Sequence, residues 1–175
     1  MTPFWMLTAV GRKANPAWRV LDVGCGHGNR SQWFVSQGCA VTGIDIESYA
    51  ESCASNGIKF ILSSLEDFRT DQKFDIILAA YVLPFVKCAW DERIAHLLRL
   101  ANPQALVLLT VFGPEDDWAR NPNVAIIAKD ELLALLARHK LSALYKSHEQ
   151  YKAPPARGPV KTWDVFGVLA EYGPG

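Results

Sequence analysis

The residues best placed to do chemistry lie in Val20-Leu-Asp-Val-Gly-Cys-Gly-His-Gly-Asn29. Glycines at 24, 26 and 28 let the backbone turn tightly and approach a ligand with no Cβ in the way. A helix starting just after them would add unpaired N–H groups, which favour an anionic group nearby. In a dinucleotide loop of the G-x-G-x-x-G kind the third glycine follows the first by five positions. Here Gly28 follows Gly24 by four, and Asp22 stands two residues before Gly24. That spacing argues against a nicotinamide dinucleotide and for a ligand that carries a carboxylate and an amine beside its nucleotide. Twenty-one residues after Gly24, Asp45 ends a second aliphatic run. A carboxylate at that place accepts hydrogen bonds from vicinal ribose hydroxyls.

Such residues need strands to present them, and the chain supplies them in alternation with amphipathic stretches, the pattern of βαβ units and a parallel sheet. Strands are expected at 19–23, 39–45, 58–62, 73–79 and 105–112. Helices are expected at 29–37, 48–56 (closed by Gly57), and from a cap at Asp91 onward, with Ile94, Leu97, Leu98 and Ala101 at helical spacing. After Phe112 the chain changes character. A polar loop, Gly113 to Pro122, leads to a helix over 129–140 and then two strands, 141–149 and 162–171, joined by a Pro/Gly-rich link. The expected fold is therefore α/β: one doubly wound seven-stranded sheet, mostly parallel, with an antiparallel last strand and helices on both faces. As one domain over 1–175 it divides into a short N-terminal lid segment (1–18), a cofactor-binding half (19–112) and a substrate-side half (113–175). Met1 to Lys13 is expected to form one short lid helix with Phe4, Trp5 and Leu7 facing inward.

Composition narrows the partners. Eighteen Lys+Arg balance eighteen Asp+Glu, which argues against nucleic-acid binding and a polybasic membrane surface. The longest apolar run, Ile76 to Val86, has 11 residues and contains Pro84, too short for a membrane span. In MTPFWMLTAVGRK the charges follow the apolar stretch, the reverse of a secretory signal. Cys25, Cys39, Cys53 and Cys88 show no metal-ligand spacing and read as reduced thiols of a cytoplasmic protein with no metal site.

The glycine loop, followed by Val-Thr-Gly-Ile-Asp45, resembles the class I S-adenosylmethionine-dependent methyltransferases, whose order of elements the chain also follows. The resemblance implies S-adenosylmethionine as cofactor, held by Asp22, Gly24, Cys25, Gly26 and Gly28 around its amino-acid part. It further implies Asp45 at its ribose, Ile46 as a further cofactor contact, Ser64, Leu65 and Glu66 at its adenine, and Ala80 and Tyr81 at its methionine end. Many members carry an Asp where this chain has Ser64. The tail, Phe112-Gly-Pro-Glu-Asp-Asp-Trp118 with Lys161-Thr-Trp-Asp-Val-Phe166, more loosely resembles the small bacterial methyltransferases near the tellurite-resistance group. The implied reaction is methyl transfer by in-line displacement to a small-molecule acceptor such as a thiol or a chalcogen oxyanion.

Methyl transfer asks chiefly for alignment, since the sulfonium is already activated. A base is needed only where the acceptor keeps its proton. Tyr81 and His148 are the candidate acid/base groups. Phe85, Phe112, Trp118 and Trp163 are the candidate substrate contacts. Asp116 and Asp117 read as solvated loop charges, His27 as an exposed spacer, and His96 and His139 as surface residues. The partner is expected to be a small molecule, with neither nucleic acid nor membrane, and the protein a monomer or homodimer. Two other readings remain open: a non-catalytic module of the same fold that binds cofactor or a partner, and a nicotinamide-dependent oxidoreductase.

Overall fold

Seven strands form one sheet in the computed structural model, which describes residues 7–8, 10–155 and 158–173. They are β1 (Arg19–Val23), β2 (Ala40–Asp45), β3 (Lys59–Leu62), β4 (Phe74–Ala80), β5 (Ala101–Phe112), β6 (Leu141–Ala153) and β7 (Lys161–Tyr172). Their order is β3-β2-β1-β4-β5-β7-β6. The first five pair in parallel, and β7 runs antiparallel to both β5 and β6. The order reverses at β1, so the carboxyl ends of β1 and β4 open a crevice, the usual ligand position in such a sheet.

Alternation along each strand builds a core on each face. Leu21, Ile77, Ala79, Val107 and Leu109 pack under α2 (Trp90–Leu98) and α3 (Lys129–Arg138), against Ile94, Leu97, Leu132 and Leu136. Val20, Ile76, Leu78, Leu106 and Leu108 face the other way, toward Phe34 of α1 (Gln32–Ser36) and Ala50 and Cys53 of a 3-10 helix, Ser48–Asn56. Leu7 joins this second core, fully buried. Phe4 and Trp5, the other two inward positions expected of a lid helix, lie outside the described residues.

Several local expectations are corrected. The helix after the glycine loop begins at Gln32 rather than Asn29 and is five residues long, so its end contributes less to holding an anion than a full helix would. Residues 48–56 wind as a 3-10 helix. β5 starts at Ala101, four residues early, and passes through Gln104 at φ 65° where its pairing with β4 shifts register. Asp91 is not the cap of α2. Ala89 holds that place, its N–H donating to the Glu92 carboxylate at 3.0 Å. Asp91 instead accepts from Arg138 and pairs with His139 at 3.1 Å, tying α2 to α3. His139 and His96 are half-buried rather than at the surface. Among the described residues no helix is long and apolar enough to cross a membrane.

Candidate functional site

The loop after β1 is held by the end of β2. Gly24 and Cys25 both donate N–H bonds to the Ile44 carbonyl, at 2.8 and 3.1 Å. The Gly26 N–H donates to Asp45 Oδ2 at 2.9 Å, and the Glu47 N–H donates to Oδ1 at 3.0 Å. Each Asp45 oxygen thus carries one backbone bond and keeps a lone pair for a further donor. Gly24 has φ 68°, and a Cβ there would lie 2.7 Å from Val82 Cγ2. Gly28 has φ 75°, and a Cβ there would run into the Ile58 side chain. A Cβ on Gly26 would meet nothing within 4 Å, so open space lies over the middle of the loop.

Asp22 sits beneath this loop, 3% exposed, accepting from the Ser31 hydroxyl. Burial pushes its carboxyl up to about 6, against the Ser31 hydrogen bond and nearby Arg30, which favour the charged form. Cys25 faces inward, its Sγ against Gly43, and burial raises its thiol as well. His27 is exposed as expected, Nδ1 at 2.8 Å from the Ser52 hydroxyl.

A cavity of about 210 Å³ opens beside the loop, lined by Gly24, Asp45, Ile46, Ser64, Leu65 and Glu66 and, from the other side, by Val82, Phe85, Val86 and Lys87. Ile46 is 70% exposed, an apolar side chain left on the cavity's rim. Ser64 is engaged within its own turn: its hydroxyl donates to Asp67 Oδ2 at 2.9 Å and accepts the Asp67 N–H at 3.1 Å. Val82 and Lys87 were not singled out by sequence, since neither carries a motif.

Phe85 continues from this cavity into an aromatic cluster. Its ring meets Phe112 and Trp118 edge-on, with centroids 6.1 and 5.7 Å away. Trp118 and Trp163 lie 5.3 Å apart, Tyr81 stacks on Phe112 at 5.7 Å, and Tyr151 stacks on Trp163 at 6.1 Å. The four residues expected to touch substrate are thus brought together with Tyr81. Phe112 is fully buried and forms the floor; Phe85, at 45% exposure, stands at the rim. Tyr81 is held at φ 62°, its N–H bonded to the Thr110 carbonyl at 2.9 Å. Such a backbone is uncommon for a bulky residue and aims its ring into the cluster. Ala80, just before it, ends β4. Burial, with the Tyr151 hydroxyl beside it, pushes the Tyr81 phenol up to about 12. At neutral pH it donates hydrogen bonds and does not act as a base.

Of the two loop carboxylates near the cluster, Asp117 is exposed as expected and Asp116 departs from expectation. Asp116 is no solvated loop charge: it is 3% exposed, paired with Lys161, and accepts the Trp118 and Asp164 N–H groups at 2.9 and 3.1 Å. Asp117 is exposed and accepts the Thr162 N–H at 2.6 Å. His148 Nε2 meets buried Asp164 Oδ1 at 2.6 Å and packs on Phe166. Burial works against the Asp164 charge, but His148, the Glu115 amide and Gln150 hold its carboxyl below the usual range. Asp164 and Trp163 are neighbours on β7 and point to opposite faces, so His148 lies across the sheet from the aromatic cluster. Lys161, Asp164 and Tyr151 belong to the site's surroundings without having been singled out by sequence.

A family model described as a methyltransferase domain matches residues 6–148. The chain belongs to that methyltransferase family. Curated relatives include the ubiquinone biosynthesis O-methyltransferases of Rickettsia felis, 28% identical over 101 residues (54% of this chain, 41% of that protein), and of Rickettsia bellii, 25% identical over 142 residues (76% and 58%). The chain spans about half the length of these relatives. Similar solved structures include TehB from Haemophilus influenzae (18% identity, TM-score 0.72, 89% of this chain and 57% of that one). The N-methyltransferase NodS from Bradyrhizobium japonicum WM9 is another (17%, TM-score 0.71, 97% and 90%), also crystallised with S-adenosyl-L-homocysteine. These structural likenesses carry the fold alone.

S-adenosylmethionine is the cofactor of this methyltransferase family, and the residues present fit it. Asp45 keeps acceptor capacity that would suit ribose hydroxyls, Ile46 leaves an apolar face on the cavity rim that would suit the adenine, Leu65 lines the cavity with its side chain buried in the core, and the open space over Gly26 would admit the amino-acid part. Ser64 departs from the fit, since its hydroxyl is already committed to Asp67. Among the described residues there is no group of three His, Cys, Asp or Glu that could hold a metal.

Proposed function

We propose that this chain methylates a small molecule that reaches the site as an anion: a thiolate, a chalcogen oxyanion or a phenolate. S-adenosylmethionine supplies a methyl group already activated on a sulfonium, ready for in-line displacement. The chain's own work is to hold cofactor and acceptor in line, which can contribute about 7–11 kcal/mol of the barrier. Asp45 and the loop 24–28 fix one partner, and the rings of Phe85, Trp118, Trp163 and Tyr81 position the other.

The observation that carries this reading is Phe85, which lines the cofactor cavity and also meets Phe112 and Trp118. It joins the two sites. The need for an anionic acceptor follows from the nearby titratable groups. Asp116 and Lys161 neutralise each other, and the Tyr81 phenol keeps its proton. Asp164 and His148 are paired on the other face of the sheet. With these groups engaged, acceptors with their own low pKa are favoured over ones that need a strong base. The names of the Rickettsia relatives support including oxygen acceptors. The balanced charge supports a small molecule over nucleic acid.

The test is the pH dependence of kcat/KM for a set of thiophenols of graded pKa. We expect the inflection to follow the acceptor's pKa. An inflection fixed across the set would reveal a base on the protein and contradict the proposal.

A further inference from the structure

The Lys161 ammonium lies under three aromatic rings, 4.0 Å from the centroid of Trp163, 4.4 Å from that of Trp118 and 5.4 Å from that of Phe112. Its counter-ion is Asp116, and it also donates to the Thr162 carbonyl at 3.2 Å. Lys161 is 7% exposed and Asp116 3%. Aromatic faces around a carboxylate form a site built to bind an ammonium ligand, because ring quadrupoles attract a desolvated cation. Here the chain's own lysine fills that place.

We infer that Lys161 is the specificity-determining residue of the acceptor pocket: by occupying the cation position of the cage, it bars ammonium-bearing acceptors and leaves the rings to neutral and anionic ones. The inference deepens the proposed function and rests on it for the position of the acceptor. Its physical basis is independent of turnover. A second cation brought to Trp118 or Trp163 would meet a like charge across one ring thickness, in surroundings poorly screened by water. A neutral aromatic ring meets no like charge there and packs on the exposed parts of Phe85, Trp118 and Tyr151.

The probes are two phenols of the same shape that differ by one charge, 4-tert-butylphenol and (4-hydroxyphenyl)trimethylammonium. Binding is read by quenching of tryptophan fluorescence in the presence of S-adenosylhomocysteine. The wild type is expected to bind the neutral phenol at least about tenfold more tightly, the scale of one cation–ring interaction. The double variant K161A/D116N removes the Lys161 cation without leaving a bare buried carboxylate, and is expected to gain cation affinity and abolish that preference. K161M/D116N, with the cage filled by an apolar chain, is expected to lose the discrimination without gaining cation affinity. Equal binding of the two phenols by the wild type would overturn the inference, and needs no variant to be folded. So would a K161A/D116N protein that binds S-adenosylhomocysteine normally and still favours the neutral phenol. Failure of the methyl-transfer reading would show separately, as absence of product with every acceptor while this discrimination persists.

Discussion

Asp45 Oδ2 accepts the Gly26 N–H at 2.9 Å, so the carboxylate at the end of β2 holds open the loop at the end of β1. One residue thereby shapes the loop and lines the cavity proposed for the cofactor. Replacing Asp45 with Ala removes the loop's anchor and the ribose acceptor together. Hydrogen bonds to a charged acceptor are worth about 1.5–3 kcal/mol each, so S-adenosylhomocysteine affinity should fall at least about tenfold for each ribose bond lost. Calorimetric titration of the variant checks this; unchanged affinity would remove Asp45 from the site.

The glycines of the loop carry steric rather than chemical roles. In Gly24→Ala the new Cβ would meet Val82 at 2.7 Å on a backbone with φ 68°. A left-handed conformation and an overpacked contact each cost about 1–3 kcal/mol. Chemical denaturation should show a loss of that order. Gly26→Ala has open space around its Cβ and only the backbone cost, so it should fold better than Gly24→Ala while placing a methyl group in the cofactor's path.

The buried Asp22 gives a pH signature of defined sign. Its carboxyl rises from 3.8 to about 6 on folding, so between those values the folded protein binds more protons than the unfolded chain. Its contribution to stability is therefore fully present below the unfolded value and is lost as pH rises through about 6. Asp22→Asn should flatten this dependence. Urea unfolding of both proteins between pH 4 and 7 should show their difference in stability changing across that window; a constant difference would mean that Asp22 is ionised throughout.

The Asp116–Lys161 pair should show the asymmetry of buried ion pairs. Asp116→Ala leaves an ammonium buried without its partner and should cost about 3–5 kcal/mol. Neutralising both partners in K161M/D116N should restore much of that loss. Thermal unfolding of the single and double variants reads the coupling, and additive losses would show that the two charges do not interact.

What sequence could show was set by how local each signal is. β1, the glycine loop and Asp45 are legible because strand, turn and terminal acid fall in one short stretch with fixed spacing. The aromatic residues were legible as types, and the fold supplied what type could not: that Phe85, Phe112, Trp118 and Trp163 meet. The Asp116–Lys161 pair joins residues 45 positions apart, and nothing in a lysine at a strand's first position signals burial. His148 looked available because its strand could be placed but its face could not; pairing with Phe166 fixes it beside Asp164. The short α1 and the cap of α2 were misjudged because tertiary contacts outweigh local preference at helix ends.

The proposed S-adenosylmethionine site is the cavity lined by Gly24, Asp45 and Phe85. It is tested by calorimetric titration with S-adenosylmethionine, S-adenosylhomocysteine and NAD in parallel. Micromolar binding of both sulfur nucleotides with no heat from NAD is the expected result. Binding of NAD, or silence with both sulfur nucleotides, would contradict it.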